Sequence, residues 1–306
     1  MALDDATKAF IAQLARAGGP PMHEGSPQEA RQKLAGLARL SPPGPDLPRV
    51  EHLTVDTSGQ PVIVLAPENP RGVFVWWHGG GWVVGSPAEH ETLGRHLAVA
   101  TGCTVVLAGY RLAPEHRFPA GLEDALDTLG WVNAHRRELA GSDAAPVFLA
   151  GDSAGGNLAA VVARHAREFN LPIAAQVLVY PVLDHRFDND SYADPSNQLA
   201  FNLATMHWFW DHYVDPEDRD HPDVSPGRAE DLTDLPPAVI LTAEHDVLRQ
   251  EGEDYAEALR AAGVPVVHRR FDGQMHGFIQ MIGILPGSTE GIAWLGEQVR
   301  TIVDGQ

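Results

Sequence analysis

The sequence predicts an α/β fold: a mostly parallel sheet of eight strands, helices on both of its faces, and a small helical cap over one end. Three observations carry this. Short segments rich in β-branched and apolar residues alternate with longer helix-like ones, as strand–helix–strand units do. Several of the strands, such as VFVWW (Val73 to Trp77) and QVLVY (Gln176 to Tyr180), are nearly continuous apolar runs, as in strands buried on both faces. A chain of 306 residues with 44% hydrophobic content supplies the core for one large domain of this class or two ordinary ones.

The elements follow in order. Strands near 51–57 and 61–66 are separated by a short turn with Ser58 and Gly59 and read as a hairpin, giving the sheet an antiparallel edge. A strand near 72–77, a helix over 89–101 and a strand near 104–109 come next. In the helix over 119–138, Leu122, Ala125, Leu126 and Leu129 recur at helical spacing, and Pro119 suits its first turn. Strand 146–150, helix 154–168 and strand 174–180 continue the alternation; strand 238–243, helix 249–262, strand 265–271 and helix 288–303 complete it. Two regions stand outside it. Residues 1–47 read as two helices ended by the Pro-rich string SPPGPDLP, and residues 184–235 are polar around the aromatic helical stretch MHWFWDHY. We expect 1–47 and 184–225 to form the cap, and 48–183 with 226–306 the main α/β domain.

Composition narrows the function classes. Lys and Arg number 22 against 41 Asp and Glu, a net charge of −19 that argues against a nucleic-acid partner, which needs a basic face. Only Lys8 and Lys33 are lysines, a skew that fits genome composition or a salt-rich habitat equally. Gly (30) and Pro (24) stay below the roughly 25–30% of low-complexity chains, so the chain is not mainly disordered. A lone cysteine, Cys103, excludes an internal disulfide and reads as an inert buried thiol in the run CTVVLA. The acidic start MALDDATKAF lacks the features of a signal peptide, and no apolar run approaches the roughly 18 residues of a membrane span. The expectation is a cytoplasmic protein with no membrane span.

The chemistry starts at Ser153. Gly151, Ser153 and Gly155 have the spacing G-x-S-x-G, which alone turns up by chance in roughly one such chain in ten. Here the strand VFLA runs into it and an Ala-, Leu- and Val-rich helix follows. A serine on that sharp turn exposes its hydroxyl, and the helix amino terminus offers N–H groups to a developing oxyanion. The competing reading is a Gly-rich turn that merely packs tightly or binds a phosphate. HGGGW, His78 to Trp82, follows the buried strand VFVWW and has the form of an esterase oxyanion loop, with a flexible turn as the alternative.

An activated serine needs a histidine, and the histidine a carboxylate; for a serine on such a turn the chain order is serine, acid, histidine. Asp246, in the loop after the strand AVILTA, is the expected acid, with Asp184 after QVLVYPVL as the alternative. Two histidines follow: His268 lies inside a strand, whereas His276 lies in the Gly-flanked loop GQMHGF and is the expected general base. Metal sites find no support. HETLGRH lacks the spacing of a zinc helix, DHRFDND lacks a calcium loop's glycine, and no GxGxxG opens a dinucleotide site.

Taken together, HGGGW, YRLAPEHRFPAGLED (Tyr110 to Asp124), GDSAGGNLA, LPPAVILTAEHDVLRQEGEDYAEAL and MHGF resemble the hormone-sensitive-lipase-like family of α/β-hydrolase esterases, over roughly residues 70 to 280. The resemblance implies an α/β-hydrolase fold with Ser153 as nucleophile, His276 as base and Asp246 as acid. It implies an oxyanion hole of the Gly80, Gly81 and Ala154 backbone N–H groups, with Gly79 shaping the loop. It further implies a carboxylesterase for short- and medium-chain acyl esters that needs no cofactor, and it raises a homodimer paired through an edge strand. Val247 departs from the proline that often follows the acid.

For the pocket, Trp82 beside the oxyanion loop and Trp208, Phe209 and Trp210 of the cap are candidate substrate contacts, although Met206, Phe209, Trp210 and Tyr213 on one helical face also fit a cap core. Rival readings are an amidase, lactonase or peptidase with the same triad, or a non-catalytic ligand-binding member of the fold.

Overall fold

The computed structural model describes residues 2–39, 41–168 and 171–305. Eight strands form one sheet: β1 (Arg49–Thr54), β2 (Pro61–Ala66), β3 (Val73–Trp77), β4 (Thr104–Ala108), β5 (Val147–Asp152), β6 (Ala175–Val179), β7 (Ala238–His245) and β8 (Val266–Met275). Their order is β1-β2-β4-β3-β5-β6-β7-β8. From β4 to β8 every pairing is parallel. The hairpin makes the edge antiparallel, but it is β2, second from that edge, that runs against both neighbours.

The helices are α1 (Asp5–Ala17), α2 (Pro27–Ala38), α3 (Glu91–Thr101), α4 (Ala120–Ala134), α5 (Arg136–Ala140), α6 (Ala154–Glu168), α7 (Asp190–Ala193), α8 (Leu203–Tyr213), α9 (Arg249–Ala261) and α10 (Pro286–Asp304). The single helix expected over 119–138 is two. His135 leaves helical geometry at φ −107°, and its Nδ1 lies 2.8 Å from the Trp131 carbonyl that its own N–H also uses.

Alternation along the strands builds two cores. Val73, Val75 and Trp77 of β3 belong to one core with Leu122 of α4, Leu158 of α6 and Leu259 of α9, while Phe74 and Trp76 belong to the other with Leu97 of α3 and Leu295 of α10. Cys103 lies in the second core, where burial pushes its thiol up to about 11 and leaves it protonated.

The topology fixes where a site can form. The connection from β3 leads to β4 on one side, whereas the chain from β5 onward adds strands on the other. A crevice therefore opens at the carboxyl ends of the adjacent strands β3 and β5. Both regions that stand outside the strand–helix alternation reach this end. Ser26 and Glu29 cap α2 reciprocally, and Arg31 on that helix donates to the carbonyls of Val83 (2.8 Å) and Ala113 (2.9 Å). His23 meets Thr205 of α8 at 3.1 Å, joining the two regions. The α1 helix differs in one respect: its Phe10 belongs to the core under the sheet.

Candidate active site

Three pairs of adjacent strand ends assemble the site. Trp77 of β3 is in register with Gly151 of β5, so the HGGG loop and Ser153 leave the sheet together. Asp152 is in register with Val179 of β6. On the far side β8 extends four residues beyond its expected end, and its Met275 pairs with His245 of β7. The next residues, Asp246 and His276, therefore emerge side by side, although 30 residues separate them in sequence.

Ser153 alone forms the turn between β5 and α6, at φ 55°. Its N–H donates to the Val179 carbonyl (2.9 Å), and its own carbonyl accepts from Asn157 and Val182 N–H, both at 3.1 Å. These bonds hold a left-handed conformation that a side chain otherwise avoids. The flanking glycine answers a close approach: a Cβ on Gly155 would stand 1.9 Å from the Trp77 carbonyl oxygen.

Nε2 of His276 lies 3.1 Å from Ser153 Oγ, and its Nδ1 lies 2.7 Å from Asp246 Oδ2. Asp246 is buried, and its other oxygen accepts the Leu248 N–H at 2.9 Å. That places the Nδ1 hydrogen toward the carboxylate and the Nε2 lone pair toward the serine hydroxyl. The structure does not bring the alternatives here. Asp184 accepts from the Arg186 guanidinium (2.6 Å), and Nε2 of His268 lies 2.9 Å from Thr242 Oγ1 on the sheet.

Gly79 N–H donates to Asp152 Oδ1 at 2.9 Å, so it is already committed, and it pins the loop to β5. Gly81, at φ 56°, lies directly beneath the Phe209 ring, which a Cβ there would meet at 2.1 Å. Ala154 opens α6, where first-turn N–H groups have no intrahelical acceptor. His78 is buried, stacks on Tyr110 at 4.4 Å, and has its Nδ1 2.8 Å from the Gly79 carbonyl. The Tyr110 hydroxyl donates to the His78 carbonyl at 2.9 Å.

Burial, reinforced by His90, brings His78 down to about 3. The native ring is neutral, whereas the unfolded chain takes up a proton below about 6.5. Stability contributed by His78 is therefore present above pH 6.5 and lost as pH falls toward 3, at up to about 1.4 kcal/mol per pH unit. Urea unfolding of wild type and His78→Asn at several pH values checks this: the stability gap should narrow by that slope between pH 6 and 4. A constant gap would contradict it.

An apolar cavity of about 190 Å3 opens over Ser153 and His276. Leu14 of α1, Leu34 and Leu37 of α2, Phe201 and Phe209 form much of its wall. Of the aromatic residues expected to touch substrate, Phe209 lines it and the three tryptophans do not. Trp82 stacks flat on Tyr213 at 3.9 Å and meets Trp210 edge-on, both fully buried, because α8 folds its apolar face onto the loop. Trp208 packs against Phe209 from behind. Sequence reasoning put the two amino-terminal helices in the cap without naming their wall residues, and it missed Asp152, Tyr110 and Phe201. For Asp152 a signal existed, since a carboxylate beside the nucleophile, at the end of a buried strand, needs a partner.

Among the described residues no group of His, Cys, Asp or Glu is arranged to hold a metal ion, and no helix is long and apolar enough to cross a membrane.

Residues 74–280 match a family model described as alpha/beta hydrolase fold. The chain is 38% identical over 270 residues to carboxylesterase NlhH of Mycobacterium tuberculosis, covering 84% of each. It is 33% identical to an ethyl acetate hydrolase of Pseudomonas putida, covering 98% of this chain and 99% of the relative. Among solved structures, a thermostable esterase from Pseudomonas putida ECU1011 superposes with a TM-score of 0.92 at 35% identity, over 99% of this chain and 98% of that one.

Proposed function

The chain belongs to the alpha/beta hydrolase fold family, in its hormone-sensitive-lipase-like branch of esterases, and from that premise we propose that it is a serine carboxylesterase in which Ser153, His276 and Asp246 act as nucleophile, base and acid. The observation that carries the reading is the continuous bonded path from Ser153 Oγ through the imidazole to Asp246, opening on an apolar cavity.

Ser153 Oγ attacks the ester carbonyl as His276 Nε2 takes its proton, and Asp246 stabilises the imidazolium that results. The oxygen of the tetrahedral intermediate receives the N–H groups of Gly80, Gly81 and Ala154, each donor worth about 3–4 kcal/mol to the transition state. His276 then protonates the leaving alcohol, and a water activated by the same ring frees the acid. The reaction needs no cofactor.

The reading extends to organisation. Residues 1–47 and 184–225 serve as the cap over the catalytic domain, and an edge strand of the sheet, β1 or β8, is the surface for a homodimer. A lone cysteine, which leaves the fold independent of an oxidising compartment, fits a cytoplasmic location.

Substrate size follows from the cavity. At about 190 Å3 it is little larger than the ~150 Å3 cavity that accepts benzene, which fits acyl chains of about eight carbons or fewer. The ethyl acetate hydrolase among the relatives points the same way. In a series of p-nitrophenyl esters, kcat/KM should peak at or below eight carbons and fall at least about tenfold by sixteen. A maximum on long chains would overturn the assignment, and a matched amide hydrolysed as fast as its ester would favour an amidase.

A further inference from the structure

Phe201 belongs to no part of the mechanism above, yet its ring stacks on His276 with centroids 4.0 Å apart and planes within 12°. It comes from the loop before α8, is half-buried, and lines the cavity. Behind it stands Phe209 at 6.2 Å, the same ring that covers Gly81. The cap thus lays aromatic faces over both the base and the oxyanion loop.

Resting on the esterase reading, we propose that Phe201 is a positioning residue whose ring face stabilises the imidazolium form of His276 during catalysis. As the Oγ–C bond forms, the hydroxyl proton moves to Nε2 and the carbonyl π pair moves onto oxygen. A cation and an anion therefore appear together in an apolar cavity. When the intermediate breaks down, the Nε2 proton passes to the leaving alkoxide as the C–O bond cleaves. The positive ring lies within the roughly 6 Å over which an aromatic face attracts a cation, and the attraction is strongest where water is excluded. Asp246 meets the imidazole at one edge, whereas Phe201 covers its face, so the two contributions are geometrically distinct.

The other titratable or charged groups around the site come from the sheet and from the segment before α3. They are Asp246 and His245 at the end of β7, Asp152 and Ser153 at the end of β5, Tyr180 after β6, whose ring is tilted at 4.7 Å, and the buried His90, whose Nε2 lies 3.7 Å from Asp152. Burial pushes the Tyr180 hydroxyl far up, so it stays neutral. The adjoining cap residues in the wall, Leu199, Ala200 and Thr205, carry no charge.

The test replaces Phe201 in the full chain with mono-, di- and trifluorophenylalanine, which keep the ring's shape while draining its negative face. Plateau kcat/KM on a short p-nitrophenyl ester should fall stepwise, reaching roughly 3- to 30-fold at three fluorines. The acid limb of the pH profile should move to lower pH in the same order, because the protonated ring loses support. Phe201→Leu should lose at least as much, and Phe201→Tyr should retain most of the activity. A plateau that falls with an unmoved acid limb, or a series that is flat throughout, overturns the proposal. If wild type still hydrolyses esters and reacts at Ser153 in that case, the esterase reading stands alone; a wild type that does neither sinks both.

Discussion

Ser153→Ala is expected to lower kcat by up to about a million-fold while leaving the fold and substrate binding nearly intact. The magnitude follows from triad members acting as a unit: once the nucleophile is gone, a base and an orienting acid have nothing to activate. What survives, roughly 10^3- to 10^4-fold over water, comes from the oxyanion hole and binding. His276→Ala should fall as far, and combining it with Ser153→Ala should cost little more. Asp246→Asn should cost about 10^4, because Asn can present its amide hydrogens to Nδ1 and leave Nε2 protonated toward the serine. Steady-state rates on a short ester, with circular dichroism for the fold, check the series. An alanine variant at 153 that keeps more than about a tenth of wild-type kcat would refute the role.

The second large effect is structural. Gly155→Ala should destabilise the protein by at least about 4 kcal/mol, in the range reserved for core overpacking and backbone strain. The added methyl meets the Trp77 carbonyl oxygen at 1.9 Å, and that oxygen belongs to a central strand, so no flexible side chain can yield. Relief requires α6 to move away from β3, which would also carry Ser153 off its turn. Gly130→Ala is the control. Gly130 lies exposed in α4 with nothing within 4 Å of its Cβ direction, so alanine there should stabilise by about 0.5–1 kcal/mol. Urea midpoints for the two variants should therefore shift in opposite directions; equal small shifts would mean that α6 does not pack as closely as described.

The sheet was legible because its strands are apolar runs with little else to be. VFVWW and QVLVY have no polar face to turn to solvent, and the helices between them have clear stripes. The end of β8 was not legible. DGQM, beyond the expected end, carries no strand-like apolar pattern, yet it continues the pairing with β7 through a register shift to His245. That extension matters, since it delivers His276 beside Asp246. Motif chemistry brought out Ser153, Asp246, His276 and the glycine loop, because backbone close approach and acyl transfer demand particular residue types at particular spacings.

Pocket walls impose no such demand. Any bulky apolar side chain from the cap can serve, so Trp82 and Trp210 looked as eligible as Phe209. Which way each points is decided by how α8 packs, and here two tryptophans go into the core and a phenylalanine over Gly81. Asp152 illustrates a different gap. Its partner Gly79 is 73 residues away, and nothing local in the sequence says that a backbone N–H waits there.

Reaction with a fluorophosphonate, followed by mass spectrometry of the modified peptide, tests the central claim most directly. The wild-type protein should gain one phosphonyl group, on Ser153, at a rate that falls at least about a thousandfold in His276→Ala and to zero in Ser153→Ala. Modification elsewhere, no modification at all, or labelling of Ser153 at an unchanged rate without His276 would contradict it.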